Sequence, residues 1–138
     1  MRERPEDLGT RKWRLLVVED DLDVIEAVVD ILAGDADVLC AADGVQALEV
    51  LARGPLPHLV LTDLSMPRMD GLALTQQMRA TERYAHIPVL VLTGSGSPGD
   101  AVACLNAGAQ AYLTKPVNRD ELLEKMAICV ALDQSARA

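Results

Sequence analysis

Short runs of branched apolar residues alternate with helical patterns along most of the chain, and each run stops abruptly in polar residues. Leu15-Leu16-Val17-Val18 breaks into Glu19-Asp20, and Leu59-Val60-Leu61-Thr62 breaks into Asp63. An unbroken Leu/Val run of this kind predicts a strand buried on both faces of a parallel sheet, delivering side chains to a crevice at its C-terminal end. Five strands are expected, at about 14–19, 37–41, 58–62, 87–92 and 110–113.

The helices between them carry their own punctuation. Ile25, Val28, Val29 and Leu32 follow the i, i+3, i+4, i+7 spacing of a buried stripe, and Gly34 closes that helix, with Asp21 as a candidate cap. Asp43 followed by Gln46 reads as the capped start of a second helix with a Val45, Leu48, Leu51 stripe. The third follows Asp70-Gly71 and buries Leu74 and Met78. The fourth opens with Ser97 and Pro98 and ends at Gly108. The fifth starts at Asn118 with Glu121 three residues on and presents Leu122, Met126 and Val130 on one face. Residues 1–13 are polar, without period, and read as a flexible N-terminal leader; the domain is expected over 14–132 and a tail over 133–138.

Strict alternation of strand and helix implies right-handed crossovers and a parallel sheet with helices on both faces. The fold class is α/β: a flavodoxin-like, doubly wound five-stranded parallel sheet of order 2-1-3-4-5 with five helices. In that order the first and third strands are neighbours at the switch point, so Glu19-Asp20 and Asp63 share one crevice. Carboxylates gathered there repel one another, which calls for a divalent cation or a shared proton.

Composition narrows the functional classes. The 138 residues are one domain's worth, and half are apolar, yet the aromatics are one Trp, two Tyr and no Phe, so the core is aliphatic. A net charge of −8 argues against a domain that grips nucleic acid or an anionic membrane, because phosphate neutralisation needs a basic face. Cys40, Cys104 and Cys129 are widely spaced, with no CxxC pair, and are expected as buried small hydrophobes of a cytoplasmic protein. No apolar segment has the length of a membrane span.

Two more strand ends complete the picture. Val89-Leu90-Val91-Leu92 ends in Thr93-Gly94-Ser95-Gly96, and Tyr112-Leu113 ends in Thr114-Lys115-Pro116. The same sheet edge thus gathers carboxylates, a hydroxyl and an ammonium. Around a cation held by Glu19, Asp20 and Asp63, this set suits a phosphoryl group: metal and Lys115 neutralise its oxygens, Thr93 donates a hydrogen bond, and glycine lets backbone approach closely.

At these residues the sequence resembles the receiver domain of two-component response regulators, of the chemotaxis-regulator type, from about 14 to 132. The matching pieces are Leu-Val-Val-Glu-Asp-Asp at 16–21, Leu-Val-Leu-Thr-Asp-Leu-Ser-Met-Pro-Arg-Met-Asp-Gly at 59–71, Val-Leu-Thr-Gly at 91–94 and Ala-Tyr-Leu-Thr-Lys-Pro at 111–116. The resemblance implies that Asp63 is the phosphoacceptor, taking its phosphoryl group from the phosphohistidine of a sensor histidine kinase or histidine phosphotransfer protein. It implies Mg²⁺, with Mn²⁺ as a substitute, on Glu19, Asp20, Asp63 and the backbone carbonyl of Ser65. Thr93 and Lys115 would contact phosphoryl oxygens, Tyr112 would be an aromatic switch, and the Lys115–Pro116 bond would be cis. Signal would leave through the fourth helix, fifth strand and fifth helix, where Ala101, Asn106, Gln110, Tyr112 and Arg119 lie, to a downstream protein. A monomer or weak dimer is expected, with no direct nucleic acid and no membrane.

The departures from the pattern are small. Glu19 stands where many members have Asp, and its longer arm favours a water-mediated metal contact. Gly94 replaces the commoner Ala, while Ser65 and Ser95 flank the site at positions that tune phosphoryl loss.

Three rival readings part from this one at particular residues. An aspartate-nucleophile phosphatase of the haloacid dehalogenase type needs a second acid two residues after the nucleophile, where this chain has Ser65. A flavodoxin-like FMN module wants a hydroxyl- and Gly-rich loop after the first strand, where Glu19-Asp20-Asp21 would repel phosphate. A pseudo-receiver, binding partners without phosphorylation, usually lacks an acid or the lysine. Asp21, Asp23 and Asp70 are expected to be structural. His58 and His86 precede strands, at the edge opposite the acids, so the phosphodonor has to be another molecule and the chain is not itself a kinase.

Overall fold

The computed structural model describes residues 13–34, 36–94 and 97–137, with side chains of the last helix described as far as Cys129. All but the last residue of the expected leader, together with Ser95, Gly96 and Ala138, lies outside the described residues. Five strands, β1 (Trp13–Val18), β2 (Ala36–Ala41), β3 (Leu59–Asp63), β4 (Val89–Thr93) and β5 (Ala111–Thr114), alternate with five helices. These are α1 (Leu22–Ile31), α2 (Gly44–Arg53), α3 (Gly71–Ala80), α4 (Pro98–Ala107) and α5 (Arg119–Arg137). The sheet has the order β2-β1-β3-β4-β5, every pair parallel, as the alternation of elements requires.

Successive strand residues point to opposite faces and build two separate cores. Leu16, Val18, Val60, Val89 and Val91 pack with Leu51 of α2, Leu74 and Met78 of α3, and Cys104 of α4. Leu15, Val17, Leu59, Leu61, Leu90 and Leu92 pack on the other face with Val28 of α1 and Leu122, Met126 and Cys129 of α5. β3 and β4 are buried along their whole length, which is why they read as unbroken apolar runs. β4 begins at Val89 because Pro88 has no N–H to give a ladder; its carbonyl instead accepts from Val60 N–H at 3.0 Å.

The helix starts are those the capping residues mark. Asp21, Asp43, Asp70 and Ser97 each accept from a backbone N–H in the first turn, of Asp23, Gln46, Ala73 and Asp100 respectively. Asn118 does the same for Glu121 N–H at 3.1 Å. α5 runs beyond residue 132, where a tail was expected, since residues 130–137 contain no Gly or Pro to stop it.

Three expectations need correction. Cys40 is exposed, because β2 is an edge strand whose outer half lacks a helix cover; Leu39 beside it is exposed too. Cys104 and Cys129 are buried as anticipated, and burial pushes the Cys129 thiol up to about 12. Val29, assigned to the buried stripe of α1, lies on the solvent side of the helix, whereas Val28 and Leu32 are buried and Val24, Ile25 and Ile31 pack against the same core. Gln110 does not offer its side-chain carbonyl to the outer face formed by α4, β5 and α5. That oxygen accepts from Val89 N–H at 2.7 Å and from Arg79 Nη2 at 2.9 Å.

Arg79 is the main fastening at the N-terminal edge of β4 and β5. From the last turn of α3 its guanidinium also donates to the carbonyls of Gly108 and Ile87, both at 2.9 Å. Gly108 is left-handed at φ 106° and a Cβ there would overlap the Arg79 stem, so the C-terminus of α4 closes directly onto this arginine. At the same edge, His58 Nδ1 accepts from Arg14 N–H at 2.8 Å. Among the described residues no helix is long and apolar enough to cross a membrane.

Replacing Arg79 with Ala should lower the urea unfolding free energy by about 2–3 kcal/mol, the cost of leaving partly buried carbonyls without a charged donor. Arg79→Lys should recover only part of that loss, since one ammonium cannot span acceptors on three segments.

Candidate functional site

Adjacent strand ends bring the acids together. β1 and β3 pair with Val18 opposite Thr62, which sets Glu19 beside Asp63. Glu19 N–H donates to Ala41 O at 2.8 Å, holding the chain extended one residue past β1. One carboxylate oxygen each from Glu19, Asp20 and Asp63 lies within 4.8 Å of the others. Glu19 and Asp63 are buried, whereas Asp20 is exposed at the mouth.

Lys115 closes the cluster from β5. Its main-chain N–H donates to Thr93 O at 2.8 Å, and its Nζ stands 3.2 Å from Glu19 Oε2 and 3.2 Å from Asp63 Oδ1. Lys115–Pro116 is cis, as the resemblance implied. Burial, with Asp63's charge adding to it, holds the Glu19 carboxyl above the usual carboxylate range despite the Asp21 N–H and Lys115. Lys115 is itself raised: burial acts to lower it, but the two carboxylates together outweigh that effect.

Glu19 Oε1 accepts from Asp21 N–H at 3.1 Å, while Glu19 Oε2, fully buried, accepts no well-formed hydrogen bond. The lysine contact is therefore an ion pair without hydrogen-bond geometry, and this oxygen retains unused capacity. An underused buried carboxylate oxygen inside a set of hard anionic donors fits a hard, oxygen-seeking divalent cation such as Mg²⁺ or Mn²⁺. One ammonium among three carboxylates leaves the cluster electrically incomplete.

The other expected residues take places around this cluster. Thr93 is buried at the end of β4. Gly94 follows it, exposed, with open space where a Cβ would stand, so an alanine would fit there. Tyr112 is half-buried on β5, opposite Val91, and packs against the core on the α2–α4 face. Ser65 is exposed two residues past Asp63, and Pro116 is exposed after Lys115. The structure thus joins Glu19, Asp20, Asp63 and Lys115 directly, and sets Thr93 at the end of β4, Tyr112 on β5 and Ser65 in the loop after β3 around them.

Sequence reasoning missed how the backbone of Asp63 is held. Thr62 Oγ1 donates to Asp63 O at 3.0 Å, and Gly71 packs so closely that a Cβ there would overlap the same carbonyl oxygen. Gly71 N–H also donates to Leu64 O at 2.9 Å. Asp-Gly was legible as a helix start; the close approach that requires the glycine was not. Also missed was Arg68, whose guanidinium pairs with the α2 cap Asp43 across 25 residues of chain.

Comparison with known proteins gives a consistent result. The model of the family described as response regulator receiver domain matches residues 15–127. Response regulator MprA of Mycobacterium sp. (strain KMS) is 43% identical over 114 residues, covering 82% of this chain and 48% of the relative. The chain spans about half, or less, of the length of the curated relatives it matches first. The receiver domain of sensor histidine kinase PA1611 from Pseudomonas aeruginosa PAO1, solved with a magnesium ion coordinated in its active-site cleft, superposes with a TM-score of 0.78 at 30% identity, over 87% of this chain and 98% of that one. The chemotaxis response regulator CheY4 of Vibrio cholerae gives 0.76 at 29% identity, over 84% and 97%.

Removing one charge from the cluster should help the cation-free protein. Carboxylates at this separation repel by about 1 kcal/mol per pair even in a water-like dielectric. In EDTA, Asp20→Asn should therefore raise the urea midpoint, while abolishing any further rise on adding Mg²⁺; an unchanged Mg²⁺ response would remove Asp20 from the site.

Proposed function

The chain belongs to the response regulator receiver domain family, and on that footing we propose that it is a phosphorylation-controlled switch in two-component signalling, with Asp63 as the phosphoacceptor. The observation that carries this reading is the ammonium of Lys115 standing 3.2 Å from both Asp63 and Glu19 at the closed end of an acid crevice. A lone metal site would have no use for a lysine among its ligands; a phosphoryl site needs one.

An Asp63 carboxylate oxygen attacks the phosphorus of a phosphohistidine in line with its P–N bond. The new O–P bond forms as the P–N bond breaks, and the imidazole leaves with the electron pair and takes up a proton. The donor comes from a sensor histidine kinase or a histidine phosphotransfer protein, since His58 is committed to the opposite edge of the sheet by its bond to Arg14 N–H. Glu19, Asp20, Asp63 and the Ser65 carbonyl would hold Mg²⁺, or Mn²⁺ in its place, which would supply positive charge against the phosphoryl oxygens.

The chain's own groups do the rest. Phosphorylation of Asp63 removes the carboxylate charge that holds Lys115, freeing the ammonium for a phosphoryl oxygen. Thr93, at the end of the neighbouring strand, donates its hydroxyl to another. A shift of Thr93 toward the phosphoryl group vacates space beside β4, into which Tyr112 turns. This changes the outer face formed by α4, β5 and α5, where Ala101, Asn106, Tyr112 and Arg119 lie and where Val102 and Leu105 are exposed apolar groups suited to a downstream protein. The activity is the protein's own phosphorylation and dephosphorylation, carried out in the cytoplasm by a monomer or weak dimer, and the net charge of −8 disfavours direct nucleic-acid or membrane contact.

Incubation with acetyl phosphate and Mg²⁺ should add one phosphoryl group, read by intact mass spectrometry, and EDTA or Asp63→Asn should abolish the addition. A wild-type mass that never rises would favour a phosphorylation-independent pseudo-receiver; an equal rise in Asp63→Asn would place the acceptor elsewhere.

A further inference from the structure

The loop between β3 and α3 carries Ser65 and is tied to a different part of the molecule at its far end. Arg68 Nε donates to Asp43 Oδ2 at 2.8 Å and Arg68 Nη2 to Asp43 Oδ1 at 3.1 Å, a two-pronged fork on the residue that caps α2. One residue on, Met69 O accepts from Gly44 N–H at 3.0 Å. The fit leaves no room for error, since a Cβ at Gly44 would stand 2.6 Å from Met69 Cγ. Asp43 itself is immobilised: its Oδ1 also accepts from Gln46 N–H at 2.9 Å, and Gln46 Oε1 accepts from Ala42 N–H at 2.7 Å.

Arg68 achieves this in an unfavourable conformation. Its φ is 65°, and it is the one non-glycine residue with positive φ among the described residues. Met69 N–H donates to Pro67 O at 2.7 Å, so Arg68 is the centre of a tight three-residue turn of the strained hand. A bulky residue in this region persists only where its surroundings over-determine it, and such strain collects at functional sites. Glycine would satisfy the turn without strain, but glycine could not make the fork.

We propose that the Arg68–Asp43 fork is a positioning latch for the phosphorylation site: it sets the β3–α3 loop, and with it the Ser65 carbonyl, at the height required for the divalent cation. The inference rests on the cation-dependent phosphoacceptor reading above and extends it to residues outside the acid cluster. At its base the loop is fixed by Gly71 N–H on Leu64 O and Leu64 N–H on Leu92 O, at 2.9 and 2.8 Å. Between base and latch, neither Ser65 nor Met66 makes a side-chain hydrogen bond among the described residues, and Met66 packs against the core, so the hydrogen bonds at the two ends hold the span. The Arg68 guanidinium beside Asp43 holds that carboxyl below the usual range, with the Gln46 N–H adding to it. A lowered carboxyl contributes above its ordinary range and loses its contribution as pH falls through the lowered value, so the latch is fully formed at neutral pH.

Calorimetric titration of metal-stripped protein with MgCl₂ at neutral pH tests the latch. Arg68→Ala and Arg68→Gly should each weaken Mg²⁺ binding about tenfold, the range seen when groups behind a metal's direct ligands are removed. Stability should separate the two: Arg68→Gly relieves the turn and should unfold at a higher urea midpoint than Arg68→Ala, yet bind Mg²⁺ no better. Asp43→Asn keeps the helix cap but removes the charge, and should weaken Mg²⁺ binding too; combined with Arg68→Ala it should cost no more than either alone. Arg68→Lys should recover part of the affinity. Wild type that binds no Mg²⁺ would overturn the cation reading and the latch with it, whereas wild type and all four single variants binding Mg²⁺ equally would overturn the latch alone.

Discussion

Lys115 stands between two buried carboxylates, 3.2 Å from each, and the C-terminal edge of the sheet is organised around the charge that this one ammonium supplies. A parallel sheet covered on both faces leaves its strand ends as the places where the chain can gather polar groups without breaking the core. Placing Glu19 and Asp63 on adjacent ends gains proximity and incurs repulsion. The lysine offsets part of that repulsion, and removing either member of such a buried set leaves the other charge unpaired. What remains, a net negative crevice with an underused Glu19 oxygen, is a site held short of neutrality by its own construction.

The scaffold around the crevice is correspondingly rigid. β3 and β4 are buried throughout, and their inward and outward residues are locked into two separate cores. Asp63 has its main chain covered by Gly71 and bonded by Thr62, so its carboxylate projects from a fixed point. Groups that must hold position against a reacting phosphorus benefit from such a frame, because small displacements there cost large factors in rate.

Much of this was legible in the residue pattern, and the reasons differ by element. The strands were readable because burial on both faces forces unbroken Leu and Val runs; the helix starts were readable because Asp21, Asp43, Ser97 and Asn118 are cap residues at the right spacing. The acid and lysine positions followed from topology, since order 2-1-3-4-5 makes neighbours of strand ends far apart in sequence. Exposure on the edge strand was not legible: Cys40 and Leu39 have the composition of core residues, and only the absence of a covering helix turns them outward. Nor were the long-range fastenings. Arg68 on Asp43 and Arg79 on Gly108 join loops whose approach depends on how helices settle against the sheet, and nothing local in Pro67-Arg68-Met69 or Met78-Arg79-Ala80 announces either.

Fastening and charge are segregated along the strand axis. At the N-terminal edge, Arg79 and Gln110 knit the end of α3, the C-terminus of α4 and the starts of β4 and β5 into one hydrogen-bonded knot. At the other edge, α4 begins at Pro98, a few residues beyond Thr93, where Ser97 caps its first turn by accepting from Asp100 N–H. The foot of α4 is thus tied to the edge of the sheet farthest from the crevice, while its first turn lies on the crevice side. A push on α4 from the crevice would act at the end of the helix farthest from the Arg79–Gly108 fastening, with the whole length of the helix as its lever arm.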